Sequence, residues 1–151
     1  MTKFGMDYHV VPLLSNTSST AILTTAFVDL GENLWVDFVL MHTEQNTSTL
    51  TITQCPESST SSATIEQVPF VYRSSAAIGT DTMGAATTAS SAGYSHSTVD
   101  GCTIVSVDPA DLDPDSRFVR LNLSTNAARA FVSCTANLYP RYAQATPLSS
   151  S

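Results

Sequence analysis

Four aspartates form the densest set of metal-ligating side chains in the chain: Asp108, Asp111, Asp113 and Asp115. Calcium prefers several carboxylate oxygens, and the run DLDPD resembles the start of a calcium-binding loop. The pattern departs from that loop because Ser116 replaces the glycine of the sharp turn and Asn122 replaces the bidentate glutamate. Aspartate also stabilises turns by bonding to the nearby backbone. We therefore expect a turn here and no metal site.

A hydrolytic triad is the other chemistry that the residue types suggest, with Ser95, His96 and Asp100 close together. A triad needs a rigid scaffold and an oxyanion hole, and these residues fall in a Ser-rich stretch without periodicity. Paired carboxylates such as Glu32 with Asp37 invite a glycosidase reading, but acids of this kind occur in any acidic domain. We expect no enzyme and no cofactor.

Aromatic and arginine side chains near the C-terminus are better candidates for recognition. Tyr139, Arg141 and Tyr142 surround Pro140, and tyrosine and arginine are enriched in binding hot spots. We predict that these three residues contact a partner. Trp35 begins an apolar run, so we expect it in the core.

A second pair of interface candidates lies in the segment 74–100, which is dominated by Ser, Ala, Gly and Thr. Met83 and Tyr94 are its isolated large side chains, and we predict that they too contact a partner. Because nothing periodic survives in this segment, we expect one long loop that either lies over a neighbouring subunit or stays flexible.

The elements that must position these residues are strands. Period-two alternation, in which one face turns to a core, marks three segments: Thr49–Gln54, Phe118–Ser124 and Arg129–Tyr139. Cys102–Val107 has the same character. Leu34–His42 is almost continuously apolar, which predicts a central strand buried on both sides.

Weaker signals complete the set. We expect extended segments over Tyr8–Leu14, broken at Pro12, and over Ala21–Leu30, with a hairpin turn at 45–47. Thr64–Tyr72 contains Pro69, which confines it to an edge. About eight strands without a convincing helix predict an antiparallel two-sheet β-sandwich, with the jelly roll as one form of it. We expect a single domain over 1–145 and a flexible tail over 146–151.

Composition excludes several partner classes. The formal net charge is −7, Lys3 is the single lysine, and the five arginines are scattered. Binding to nucleic acid or to an anionic membrane needs clustered cations, so neither is expected. No apolar window approaches a membrane span. Three cysteines without a C-x-x-C pair argue against a disulfide framework and a zinc site, and predict a protein kept in a reducing cytoplasm.

Three segments together resemble small structural proteins of tailed-bacteriophage virions, in particular head decoration (cement) proteins: LWVDFVL at 34–40, the DLD turn before FVRLNL, and ANLYPRYAQ at 136–144. The resemblance implies a protein made in the host cytoplasm and carried on the capsid surface of the virion. It implies the major capsid protein as partner, self-association as a homotrimer, and a shell stabilised by bridging between capsid subunits.

Two alternatives stay open. One is a neck, head-tail joining or other minor virion component of similar size. The other is a carbohydrate-binding β-sandwich for host attachment, which would present an exposed aromatic platform built on Tyr94 or Trp35.

Overall fold

The computed structural model describes most of the chain: residues 8–44, 47–57, 65–75, 77, 79–80, 82–96, 101–125 and 129–141. These residues form one short 3₁₀ helix, Pro109–Asp111, and twelve strands. The strands are β1 (His9–Thr17), β2 (Leu23–Thr24), β3 (Val28–Asp29), β4 (Asn33–Glu44), β5 (Ser48–Cys55), β6 (Glu66–Val68), β7 (Phe70–Ser74), β8 (Thr87–Ala89), β9 (Tyr94–His96), β10 (Gly101–Val107), β11 (Phe118–Leu123) and β12 (Arg129–Pro140).

The strands form two antiparallel sheets of six strands each, so the expected β-sandwich is confirmed. Sheet A has the order β1-β12-β4-β10-β7-β8. Sheet B has the order β2-β11-β5-β6, with β3 also paired to β11 and β9 also paired to β5.

The strand order is that of a jelly roll. If β2 and β3 count together, the eight principal strands are β1, β2/β3, β4, β5, β6, β10, β11 and β12. In that count, the neighbouring strands of sheet A are the first, eighth, third and sixth in the chain. Those of sheet B are the second, seventh, fourth and fifth. This alternation between sheets is the double Greek key of jelly rolls. Strands β7 and β8 extend sheet A beyond β10.

The core lies between the sheets and follows the alternation of the long strands. In β12, Val132, Cys134, Ala136 and Leu138 are buried, and in β4 the inward positions are Val36, Phe38, Leu40 and His42. Sheet B contributes Leu50 and Ile52 from β5 and Val119, Leu121 and Leu123 from β11. The two sheets thus bury one continuous apolar layer, and each keeps one outer face.

Two predictions for the first half of the chain are wrong. Ala21–Leu30 is not one strand but two, β2 and β3, which pair with opposite ends of β11. The turn at 45–47 does not close a hairpin, because β4 belongs to sheet A and β5 to sheet B. Turn residues signal a change of direction but carry no information about which sheet the chain enters next.

One proline divides a predicted strand, and another lies within a strand at the sheet edge. Thr64–Tyr72 divides at Pro69 into β6 in sheet B and β7 in sheet A, because proline cannot donate to a ladder. In contrast, β1 continues through Pro12 to Thr17 as an edge strand with two register shifts. An edge tolerates both features, and they discourage further pairing. Pro140 ends β12 as expected.

The segment 74–100 is not one long loop. Within it β8 pairs with β7 in sheet A and β9 pairs with β5 in sheet B, so this stretch crosses from one sheet to the other. Residues 1–7 and 142–151, which include the predicted tail, lie outside the described residues.

Candidate partner-binding face

The two outer faces of the sandwich carry different sets of side chains. The outer face of sheet B carries Thr49, Thr51 and Thr53 from β5, with Arg120 and Asn122 beside them on β11. Thr53 Oγ1 accepts hydrogen bonds from Asn122 Nδ2 at 3.2 Å and from Arg120 Nε at 3.3 Å. Polar residues therefore dominate the centre of this face, and Ile22, which is 64% exposed, lies beside them.

The outer face of sheet A is mixed, with exposed hydrophobic side chains among polar ones such as Ser133, Thr135 and Asn137 of β12. Five of the large exposed hydrophobic side chains of the described chain lie on it: Val10, Trp35, Met41, Val71 and Phe131. Met41 is 46% exposed and Phe131 is 50% exposed. Single exposed hydrophobic residues need no explanation, but several on one sheet face mark an interaction surface.

The centre of this face is an apolar patch formed by Val39, Met41, Ile104 and Phe131. Strand pairing sets Ile104 opposite Val39, and Phe131 lies on β12 opposite Thr43. Val39 and Ile104 are half-buried by their neighbours in the sheet. The patch is therefore a rigid surface, because each side chain is fixed by the ladder that positions it.

An aromatic row crosses one end of the same face. Trp35 and Tyr139 are opposite each other in β4 and β12, and their rings stack with centroids 4.6 Å apart. Tyr8, beside β1, lies on the other side of Tyr139 at 5.6 Å. The expectation that Trp35 belongs to the core is wrong, because its alternation turns it outward and leaves it 39% exposed.

Asp37 separates the aromatic row from the patch. Ser106 Oγ donates to Asp37 Oδ1 at 2.5 Å, and the phenol of Tyr139 also donates to this carboxylate. Burial raises the pKa of the Tyr139 phenol, and the negative charge of Asp37 raises it further. Tyr139 therefore stays neutral and keeps its donor at physiological pH.

The structure brings Tyr139 and Arg141 together at this end of sheet A. The backbone N–H of Arg141 donates to the Glu32 carbonyl at 2.9 Å, and the side chain is exposed. Tyr142 lies outside the described residues. The first and last residues of the described sandwich, Tyr8 and Arg141, thus lie at the same end of sheet A.

Met83 and Tyr94 are placed elsewhere. The Tyr94 ring stacks on Tyr72 with centroids 3.8 Å apart, packs against the core, and joins sheet B to sheet A. Met83 is half-buried, and its backbone forms an isolated bridge with Ser75. The structure therefore separates these two residues from the aromatic row, and their predicted contact with a partner stays a prediction.

The aspartate segment acts as a turn. The Asp108 carboxylate accepts from the Ala110 N–H at 2.8 Å and caps the 3₁₀ helix, as predicted for a turn aspartate. The side-chain amide of Gln54 fixes Asp113, donating to its carboxylate and accepting from its backbone N–H. Within the described ranges, no group of three or more His, Cys, Asp or Glu side chains is placed to hold a metal ion.

The triad residues supply no described site. Ser95 is exposed on β9, and Asp100 lies outside the described residues. His42 is buried in β4, where its Nε2 lies 3.4 Å from Thr103 Oγ1.

No helix in the described part of the chain is long and apolar enough to cross a membrane.

Sequence reasoning missed Met41, Ile104 and Phe131 as surface residues. The signal was present in β4, where apolar residues occupy both alternation classes. We interpreted that pattern as a strand buried on both sides. The sandwich covers only the inner side, so the outer class is exposed in the isolated chain.

Comparisons with protein-family models, with curated proteins and with solved structures found no match for this chain. The exposed hydrophobic side chains on the outer face of sheet A and the aromatic row at its end are therefore the features that bear on function.

Proposed function

We propose that this chain is a structural protein of a tailed-bacteriophage virion, a decoration protein that binds the outside of the head and bridges major capsid subunits. The observation that carries the proposal is the set of five exposed large hydrophobic side chains on the outer face of sheet A. Several exposed hydrophobic side chains on one sheet face mark a surface for protein contacts.

The aromatic row with Arg141 is the proposed contact with the capsid. Tryptophan, tyrosine and arginine dominate binding hot spots, and here Trp35 and Tyr139 stack on paired strands while Arg141 follows directly after β12. Cross-strand stacking holds the rings in place before binding, which reduces the entropy lost on association. Residues 142–151 follow directly from this end in the sequence and add length for further contacts.

Stabilisation of the shell then follows from mass action. A protein that binds the assembled, expanded lattice more tightly than free capsid subunits shifts the equilibrium towards the lattice. Jelly rolls occur among viral capsid and lectin domains, so the fold is compatible with this role without assigning it.

Cosedimentation with expanded heads tests the proposal. We expect the wild-type protein to pellet with heads of the phage that encodes it, and Trp35→Ser to weaken this binding about tenfold or more. Ile22→Ser is the matched control, because Ile22 is 64% exposed but lies beside sheet B. Failure of the wild type to bind expanded heads would reject the proposal, and binding only to necks would favour the joining-protein alternative.

The exposed Trp35 also favours a second candidate, a carbohydrate-binding module for host attachment. Sugars bind through an aromatic ring face, and Tyr139 lies between two rings, so Trp35 is the ring with which the sugar would stack. A glycan array probed with wild-type protein and Trp35→Ala distinguishes the two. Binding that disappears in the variant favours the module, and a silent array removes it.

A further inference from the structure

We infer that the part of the sheet A outer face below the aromatic row binds the same surface of a second copy of this chain around a two-fold axis. The inference deepens the proposed function and rests on it for the place of the oligomer in the particle, and it replaces the homotrimer that the phage resemblance implies with a dimer. The contact itself follows from polarity, charge and area on the described strands.

Polarity gives the first argument. The apolar patch of Val39, Met41, Ile104 and Phe131 lies on the central strands β4, β10 and β12 and away from the sandwich edges. Covering such a patch removes apolar area from water, and the gain is roughly proportional to that area. A partner must therefore present a similarly flat apolar surface, which this face itself provides.

Charge gives the second argument. Among the described residues of this face, the charged side chains are Asp37 on β4 and Arg73 on β7, on opposite sides of β10. On β10, the residue opposite Asp37 is Ser106, and the residue opposite Arg73 is Ile104, two positions before Ser106. A two-fold axis that lies in the interface, crosses β10 between those two positions and is perpendicular to the line joining Asp37 and Arg73 sets Asp37 of each copy opposite Arg73 of the other.

Such a contact is self-complementary, which is the requirement for an isologous dimer. Its two reciprocal ion pairs fix the register, while the patch supplies the burial. The Asp37 carboxylate already accepts from Ser106 and Tyr139. Because an ionised carboxylate has about four acceptor sites, it retains capacity for an arginine.

Area gives the third argument. Between Asp37 and Thr43 the strands β1, β12, β4 and β10 each span about 24 Å, while β7 and β8 add only the residues through which they pair, so the surface is about 570 Å². Two copies that cover this surface bury about 1,100 Å² in total, and a biological interface should clear about 1,000 Å². The face below the aromatic row is therefore large enough for a small dimer interface.

Sedimentation equilibrium of the purified full-length chain tests the inference, with three variants. Met41→Lys places a charge in the patch at a position already exposed in the single copy. Arg73→Glu sets like charges opposite each other in both reciprocal pairs. The double variant Asp37→Lys with Arg73→Glu exchanges the two charges and restores their attraction. Ile22→Lys is the control on the other sheet.

We expect a dimer for the wild type and for Ile22→Lys. For Met41→Lys and Arg73→Glu, the dissociation constant of the dimer should be at least about tenfold larger than that of the wild type. The charge-exchanged double variant should recover most of the Arg73→Glu loss. Circular dichroism identifies any variant that fails to fold, and Met41→Lys and Arg73→Glu change only exposed side chains.

A monomeric or trimeric wild type, or a Met41→Lys protein that dimerises like the wild type, would overturn the inference. Binding to expanded heads by a monomeric wild type would leave the proposed function standing without the dimer. A dimer that binds no heads would do the reverse, so the two failures are distinguishable.

Discussion

At the scale of single residues, alternation along a strand decides what each side chain meets. Cys134 faces the core from β12 and Cys55 is also buried, whereas Cys102 faces outward from β10 opposite Met41. None of the three forms a disulfide. Burial raises the pKa of Cys134 to about 12 and raises the pKa of Cys102 as well. Cys134 therefore belongs to the core and Cys102 to the outer face of sheet A.

Thiol labelling of the folded protein checks this placement. We expect a disulfide reagent at pH 8 to modify Cys102 slowly and to leave Cys134 and Cys55 unmodified until the protein unfolds. Because the thiolate is the nucleophile and its pKa is raised, the Cys102 rate should continue to increase above pH 9. Peptide mapping by mass spectrometry measures the sites, and Cys102→Ser should remove the native reaction. Equal labelling of Cys134 and Cys102 would contradict the fold.

At the scale of elements, the turn between β8 and β9 holds the chain close to sheet B where it passes from sheet A to sheet B. Between β8 and β9 the Gly93 N–H donates to the Ser90 carbonyl at 2.9 Å, and Gly93 has φ +94°. A Cβ at Gly93 would lie 2.4 Å from the Leu50 carbonyl oxygen of β5. The turn can lie this close to sheet B only because position 93 has no side chain.

Gly93→Ala should therefore destabilise the protein by about 1–3 kcal/mol, because it adds a backbone clash to an unfavourable φ. Gly79→Ala is the matched control, since Gly79 also has positive φ (82°) but nothing within 4 Å of its would-be Cβ. Urea unfolding followed by circular dichroism gives both changes. Equal effects of the two substitutions would show that the close approach to Leu50 is absent.

At the scale of the whole molecule, the jelly roll leaves each sheet with one outer face, and the sheet A face carries five exposed large hydrophobic side chains. The inner layers form a continuous core, so both sheets should unfold together. The net charge of −7 keeps copies apart in general, while the sheet A face carries little of it among its described residues. Association at this one face is thus compatible with a dispersed protein.

Thermal unfolding reports on that association. If two copies pair, dissociation is coupled to unfolding and the Tm of the wild type should rise by a few degrees from micromolar to near-millimolar protein. Met41→Lys should have a Tm that depends less on concentration. Differential scanning calorimetry at several concentrations measures both proteins, and a wild-type Tm independent of concentration would argue against the dimer.

Most of the fold could be predicted from the sequence. Period-two patterns identified β5, β10, β11 and β12 nearly to their ends, because a strand with one buried face must alternate. The placement of the candidate interface residues was predicted less well. Tyr139 and Arg141 lie at one end of sheet A, but Tyr94 packs between the sheets, because β9 joins sheet B through pairing with a distant strand. Their contact with a partner stays a prediction.

The sequence by itself determined the strands, their inward faces and the all-β class, since these depend on local alternation and on the residues that interrupt it. Only the tertiary structure decided which sheet each strand enters, and therefore which outer face stays uncovered. β4 carries apolar residues on both sides, and its pairing between β12 and β10 buries Phe38 and exposes Met41. Long-range packing determines which side of β4 is buried, because a strand's pattern identifies its two faces but not what will cover them.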